Sequence, residues 1–343
     1  MTNKKFISLI VISILLAVSA GVSINMNTQN YSFQNRGEVF LKGFTQNINN
    51  VNRISIESFD NTIDLVKKDN SYISESGYPL KKGMWENLIT SLSLLRIEEK
   101  KTEDPERHDD LNLKSPELNQ SVDESEGYAT KITLKKNDGT VYSSILFGKT
   151  DPSVGGLSGG QFARMNGINQ SYLLKGAIRM PGSKSDWFES LLFTIKNENF
   201  EKVSLLKNNK VFEIKNIKNS LKITYPQIVG FKADQEKLSD VRDVIESFYF
   251  YDVKKSLDSY PDNLPTLSYV TKDGMILSIS SVSHETKGES WVIIKAESND
   301  PNSKKLAEKI RNKTSGFQFL ANINTSNILR WEASDLRAQK VKN

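Results

Sequence analysis

The chain has 343 residues, 37% of them hydrophobic and 25% charged, which excludes wholesale disorder, collagen and a disulfide-stapled mini-protein. It has no cysteine and only two histidines, His108 and His284, so disulfides, thiolate metal sites, a cysteine nucleophile, a lipoprotein anchor and any multi-histidine centre are excluded as well. With 46 Lys and Arg against 41 Asp and Glu the net charge is +5, well short of a nucleic-acid-binding stripe.

Lys4 and Lys5 precede an uncharged apolar run at 6–22, whose length lies at the short end of the roughly 17–25 residues that span a bilayer. No charged residue follows until Arg36, so the positive-inside rule leaves residues 1–5 in the cytoplasm and the body of the chain outside it. The run reads as an uncleaved transmembrane anchor. The competing reading is a signal peptide cut after Val18-Ser19-Ala20. Residues 23–48 form a polar tether and lead-in, rich in Asn, Gln and Ser at its start.

Folded chain is expected from residue 49. Alternation at 51–56, 62–66 and 71–73 predicts three strands. From Lys82 the period becomes helical, with Met84, Trp85, Leu88, Ile89, Leu92 and Leu95 on one stripe. The same order recurs at 200–205, 210–214 and 221–225. A second helix follows from about Asp234, carrying Leu238, Val241, Ile245 and Phe248 on one face. Downstream, Asn137-Asp138-Gly139 and Lys272-Asp273-Gly274 each lie between alternating apolar runs, a strong hairpin signal, and each hairpin is followed by a third strand. The expectation is an α+β protein of two tandem related units, 49–199 and 200–343 with a C-terminal tail. Each would be a mainly antiparallel sheet with one amphipathic helix packed on it, behind the N-terminal transmembrane helix.

Between the first helix and its hairpin, residues 98–126 hold 11 acids against 4 Lys and Arg. A solvated surface loop is expected there. A divalent-cation site around Asp109 and Asp110 lacks the Asp-x-Asp-x-Asp-Gly spacing of a calcium loop.

Two stretches imitate an ATPase: Gly148-Lys149-Thr150 spells the end of a phosphate loop, and Leu-Ser-Gly-Gly-Gln at 157–161 spells the signature of ABC nucleotide-binding domains. The first lacks its leading glycine, since position 143 is Ser143, and it leads into Asp151-Pro152 rather than a helix N-terminus. The two also lie side by side, whereas the signature of a true ATPase is far downstream of its phosphate loop. A Gly/Ser-rich hairpin loop without nucleotide is expected. No Gly-x-Ser-x-Gly elbow is present, and both histidines read as solvated loop residues. Asp240 and Asp243 read as a helix's polar face, weak candidates for a glycosidase pair. Phe248-Tyr249-Phe250-Tyr251 reads as a junction strand with alternate members in the core, and Trp85, Trp187, Trp291 and Trp331 read as core anchors. Arg164 reads as a satisfied charge at a strand edge, with an anion contact as the alternative. No catalytic, cofactor-binding or metal residue is assigned.

The order of segments carries a resemblance. Gly37-Glu38-Val39-Phe40 precedes the first strand, Gly77-Tyr78-Pro79-Leu80 the helix, and 99–106 follows it. Leu146-Phe147-Gly148-Lys149, Phe162-Ala163-Arg164, Ser171-Tyr172-Leu173-Leu174 and Trp187-Phe188 then complete the series. Together they resemble the domain-of-unknown-function 4340 family of bacterial envelope proteins over nearly all the chain after residue 36. His108 and Asn112 depart from the family's pattern, standing at an aromatic and a glycine place. The resemblance implies a single-pass inner-membrane protein facing the periplasm, an auxiliary of ABC export systems of the gliding-motility type, and it supplies no catalytic residues. The expected function is therefore a non-enzymatic accessory protein with an envelope or ABC transporter partner, and neither nucleic acid nor nucleotide as ligand. The rival is an exported enzyme or ligand binder acting on an envelope polymer.

Overall fold

A computed structural model describes residues 35–59, 61–116, 127–154, 159–227, 232–284 and 288–338. The apolar run at 6–22 lies outside these residues; among the described ones no helix is long and apolar enough to cross a membrane. The fold is α+β, built on two mostly antiparallel sheets with few helices. The chain divides into two compact units, Met1–Tyr72 with Lys82–Met180, and Ile73–Lys81 with Pro181–Asn343. Residues 181–199 fall with the second unit, to whose sheet they supply an edge strand.

In the first unit a single turn α1 (Phe44–Asn47) leads to strands β1 (Val51–Glu57), β2 (Thr62–Lys68) and β3 (Ser71–Ser74). Helix α2 (Met84–Leu94) follows, then β4 (Arg96–Lys100), β5 (Thr130–Lys136), β6 (Val141–Asp151), β7 (Gly160–Met165) and β8 (Ser171–Lys175). The sheet order is β3-β2-β1-β5-β6-β7-β8-β4. Alternation works as the sequence suggests: Ile54 and Ile56 pair with Leu65 and Ile63 on the buried face. The β5–β6 turn closes because Gly139 takes φ +81° and the Asp138 carboxylate accepts from the Thr140 amide at 2.9 Å. Helix α2 buries Leu88 and Leu92, while Met84, Trp85 and Ile89 are half-covered, so the buried seam is narrower than the apolar stripe.

The second unit runs β9 (Leu191–Phe193), β10 (Phe200–Lys207), β11 (Asn209–Ile217), β12 (Ser220–Tyr225), α3 (Gln235–Asp243), β13 (Phe248–Lys255), β14 (Thr266–Thr271), β15 (Ile276–His284) and β16 (Ser290–Glu297). Helix α4 (Pro301–Thr314), β17 (Phe317–Ala321) and helix α5 (Ile323–Ile328) complete it. Its sheet order is β12-β11-β10-β14-β15-β16-β17-β13-β9. Asp234 caps α3 by accepting from the amides of Glu236 and Lys237. The buried Tyr269 hydroxyl donates to the Val241 carbonyl at 2.7 Å, fixing that helix over the apolar face. One helix on this sheet was expected, and among the described residues the unit carries three α-helices. Helix α4 has a seam of Ser303, Ala307, Ile310 and Thr314, too small and polar to register as an apolar stripe.

On the face opposite the apolar one, each sheet has a polar row at matched register. Asp64, Ser55, Thr133 and Ser144 are successive partners across β2, β1, β5 and β6. Glu213, Ser204, Ser268 and Ser278 are successive partners across β11, β10, β14 and β15, and Lys295 of β16 extends that row.

Candidate functional site

The sequence motifs of the first unit converge on the segment 101–116. The backbones of Lys101 and Thr102 exchange hydrogen bonds with Ser171 at 2.9 Å, and the Ser171 hydroxyl adds a bond to the Thr102 carbonyl at 2.8 Å. The Arg164 guanidinium donates from Nε to the Leu113 carbonyl at 3.0 Å and from Nη1 to the Ile168 carbonyl at 3.2 Å. Burial holds its pKa below the ordinary arginine value. Strand β7 lies between β6 and β8, so Arg164 is in the sheet's interior and not at an edge. Leu113 is fully buried against Ala129, Leu146, Phe162 and Leu173. A solvated surface loop was expected here: Glu103, Asp104, Glu106 and Asp110 are exposed, while Leu113 and the backbone of Lys101 and Thr102 tie the described part, residues 98–116, to the sheet.

His108 is a further correction. It is only 3% exposed, and its Nε2 lies 2.8 Å from the Asn169 carbonyl, where the sequence suggested a solvated ring. Its flanking acids Asp109 and Asp110 are engaged separately: the Asp109 carboxylate accepts from Lys114 Nζ at 3.1 Å, and Asp110 faces Arg107 at 3.9 Å. The Lys114 hydrogen bond is the chief cause that holds Asp109 below the usual carboxylate range. Among the described residues no cluster of three His, Cys, Asp or Glu is arranged to hold a metal ion.

Of the ATPase-like residues, Gly148, Gly160 and Gln161 are taken up by packing, while Lys149 and Thr150 are exposed. Gly148 lies in β6, and a Cβ there would come within 2.1 Å of the Leu111 carbonyl oxygen. Gln161 is buried, donating to the Gly148 carbonyl at 3.0 Å and accepting from the Ile178 amide at 2.9 Å. A Cβ on Gly160 would strike Val154 at 2.6 Å. Leu157 and Ser158 lie outside the described residues. Close approach and a buried amide relay explain these residue types without phosphate.

Elsewhere, His284 ends β15 with Nδ1 2.8 Å from the Ser290 hydroxyl, and burial, helped by the charge of Arg330, lowers its pKa. Asp240 and Asp243 are both half-covered, and Asp243 accepts from Arg242 and Asn197. Trp187 and Trp291 are buried, whereas Trp85 and Trp331 are only half-buried. On β13, Phe248 and Phe250 face the core, leaving Tyr249 and Tyr251 at 51% and 50% exposure.

Sequence reasoning missed a groove of 720 Å³ within the second unit. Its floor includes Thr266, Ser280, Ile293 and Lys295, neighbours across β14, β15 and β16 on the polar face. One wall is the loop 256–264 and the other is the end of α4 with the turn after it. A smaller hollow of 460 Å³, lined by Asn208, Asn209 and Lys210, shares Asp262, Leu264 and Thr266 with it. The walls are pinned: the Ser256 amide donates to the Gly316 carbonyl at 2.9 Å, and the Tyr260 hydroxyl accepts from the Leu257 amide at 2.9 Å. Ser-Tyr-Pro-Asp-Asn at 259–263 carries no motif of its own, and only the fold brings it to the same groove as Lys295 and Arg311.

The molecule is thus defined as an α+β protein of two antiparallel sheets, with an anchored acidic segment on one and an open polar groove on the other. The chain belongs to the domain-of-unknown-function 4340 family, whose profile matches residues 71–266. No curated protein matches the chain, and no solved structure does.

Proposed function

We propose that the chain is a non-catalytic binding and accessory protein of the bacterial envelope. In this reading residues 6–22 anchor it in the inner membrane, the N-terminus stays in the cytoplasm, and the body faces the periplasm beside an ABC-type transport system. The observation that carries the binding reading is the groove of the second unit, where charged side chains gather without ion-pair partners among the described residues on a pinned frame. The transport link rests on the family resemblance, and the orientation on the charge pattern flanking the apolar run. We also propose that the two units arose by tandem duplication. The order of the first sheet's eight strands recurs in the second, which adds β9 at its edge and helix α4 between β16 and β17, and the matched polar rows support a common ancestor.

The alternative of a ligand binder acting on an envelope polymer is favoured by the same groove. Crosslinking at native expression, followed by identification of the captured membrane proteins, separates the two. Recovery of transporter subunits supports the accessory reading, and recovery of none sinks it. Retention on membranes through carbonate washing is the expected behaviour of the anchor; release of a chain beginning near Gly21 contradicts it.

A further inference from the structure

We propose that the groove of the second unit binds a short peptide with free termini, its ammonium on the 256–264 wall and its carboxylate against Arg311 and Lys295. The charges facing the groove separate by element with one exception, Glu297, which shares the face of Lys295. Asp258 and Asp262 come from the loop, while Lys295 rises from β16 and Arg311 from the last turns of α4. Glu297 lies two residues beyond Lys295 on the same strand, at the end of the floor. None of these five makes an ion pair among the described residues, although elsewhere in the unit Lys184, Lys207 and Lys210 all do.

Between the poles the floor offers hydroxyls in a fixed arrangement. The Thr266 hydroxyl bonds the Leu264 carbonyl at 2.8 Å and meets the Ser280 hydroxyl at 2.8 Å, which leaves hydrogen-bonding capacity at Ser280 for an amide laid across it. Arg311 presents a planar fork suited to a carboxylate, and two aspartates suit an ammonium. The volume of 720 Å³ exceeds the need of a free amino acid and falls in the range of ligand clefts, about 300–1,000 Å³. A single anion or cation would satisfy one pole and leave the other unpaired; a zwitterion of peptide length satisfies both. The inference rests on the reading of the chain as a binding protein, but not on its anchor or its transport link.

The test is calorimetric titration of the full chain in detergent with triglycine, N-acetyl-triglycine, triglycine amide and glycine. Triglycine is expected to bind, and each blocked form to bind about tenfold or more weakly. Arg311→Gln should bind triglycine and its amide alike, and the double variant Asp258→Asn, Asp262→Asn should bind triglycine and its acetylated form alike. All three side chains are exposed, so unfolding midpoints should stay at the wild-type value. Absence of binding up to about 10 mM, indifference of the wild-type protein to either block, or glycine binding as tightly as triglycine overturns the proposal. Such a failure leaves the crosslinking result, and with it the accessory reading, unaffected.

Discussion

Gly148 stands where a nucleotide-binding reading would place a phosphate, yet the space above its Cα is filled by the Leu111 carbonyl. Gly148→Ala forces backbone apart at 2.1 Å and should cost roughly 2–4 kcal/mol, read as a lowered unfolding midpoint. Lys149, exposed beside the Phe162 ring, should be replaceable by Ala with little effect, and ATP should stabilise neither variant nor wild type. Glu213 is a second residue whose surroundings decide its behaviour. Burial alone would raise its pKa, but hydrogen bonds from Thr224 and Lys210 and the charges of Lys210 and Lys215 outweigh this and bring it to about 2. A carboxylate with a depressed folded-state pKa contributes stability above its unfolded value, near 4.3, and loses it as pH falls toward 2. The lysines are some 40% exposed, so the contribution is on the order of 2 kcal/mol. Denaturant titrations at pH 6 and pH 3 should therefore show Glu213→Gln losing less stability on acidification than the wild type. Equal losses would remove this account of the cluster.

At the scale of elements, the segment Ile73–Lys81 explains a family motif. It belongs to the second unit, where the Tyr78 ring is packed edge-on by Phe188, Phe250, Phe317 and Phe319 at 4.9–5.8 Å between centroids. The Lys81 amide donates to the Trp187 carbonyl at 2.8 Å, so Gly77-Tyr78-Pro79-Leu80 and Trp187-Phe188, far apart in sequence, form one aromatic cluster. Tyr78→Ala should cost about 3–5 kcal/mol in thermal or denaturant unfolding. Tyr78→Phe retains the ring contacts and should cost under about 1 kcal/mol. The motif was visible in the sequence; its partner was not, because alternation reports which face is buried and says nothing about which distant segment covers it. Strands and hairpins were legible for the converse reason, as Asp138-Gly139 and Asp273-Gly274 encode their turns locally. Helix α4 was missed despite a local signal, Asp300 as cap followed by Pro301 at the first helical position. Likewise the groove joins a loop, three strands and a helix end, and no spacing in the chain announces such a meeting.

For the whole molecule, the boundary between units determines which fragments can fold. A cut at 199/200, where the sequence repeat suggests it, strands β9 and the Trp187-Phe188 pair on the wrong side. Strand β9 supplies the outer partner of β13, with Phe193 opposite Phe248 and their rings stacked at 5.4 Å. A fragment of residues 200–343 therefore exposes the edge of β13 and one side of its aromatic cluster, and aggregation with strong ANS binding is expected. A fragment of 181–343 restores the strand but still lacks Tyr78, which closes the ring of four phenylalanines. It should fold with a lowered midpoint, and a synthetic peptide of residues 73–81 should raise that midpoint with increasing concentration, as any ligand specific for the native state does. The peptide with Tyr78→Ala should not. If fragment 200–343 unfolds as cooperatively as 181–343, or if the wild-type peptide leaves the midpoint unmoved, the second unit does not depend on these segments and the division lies elsewhere.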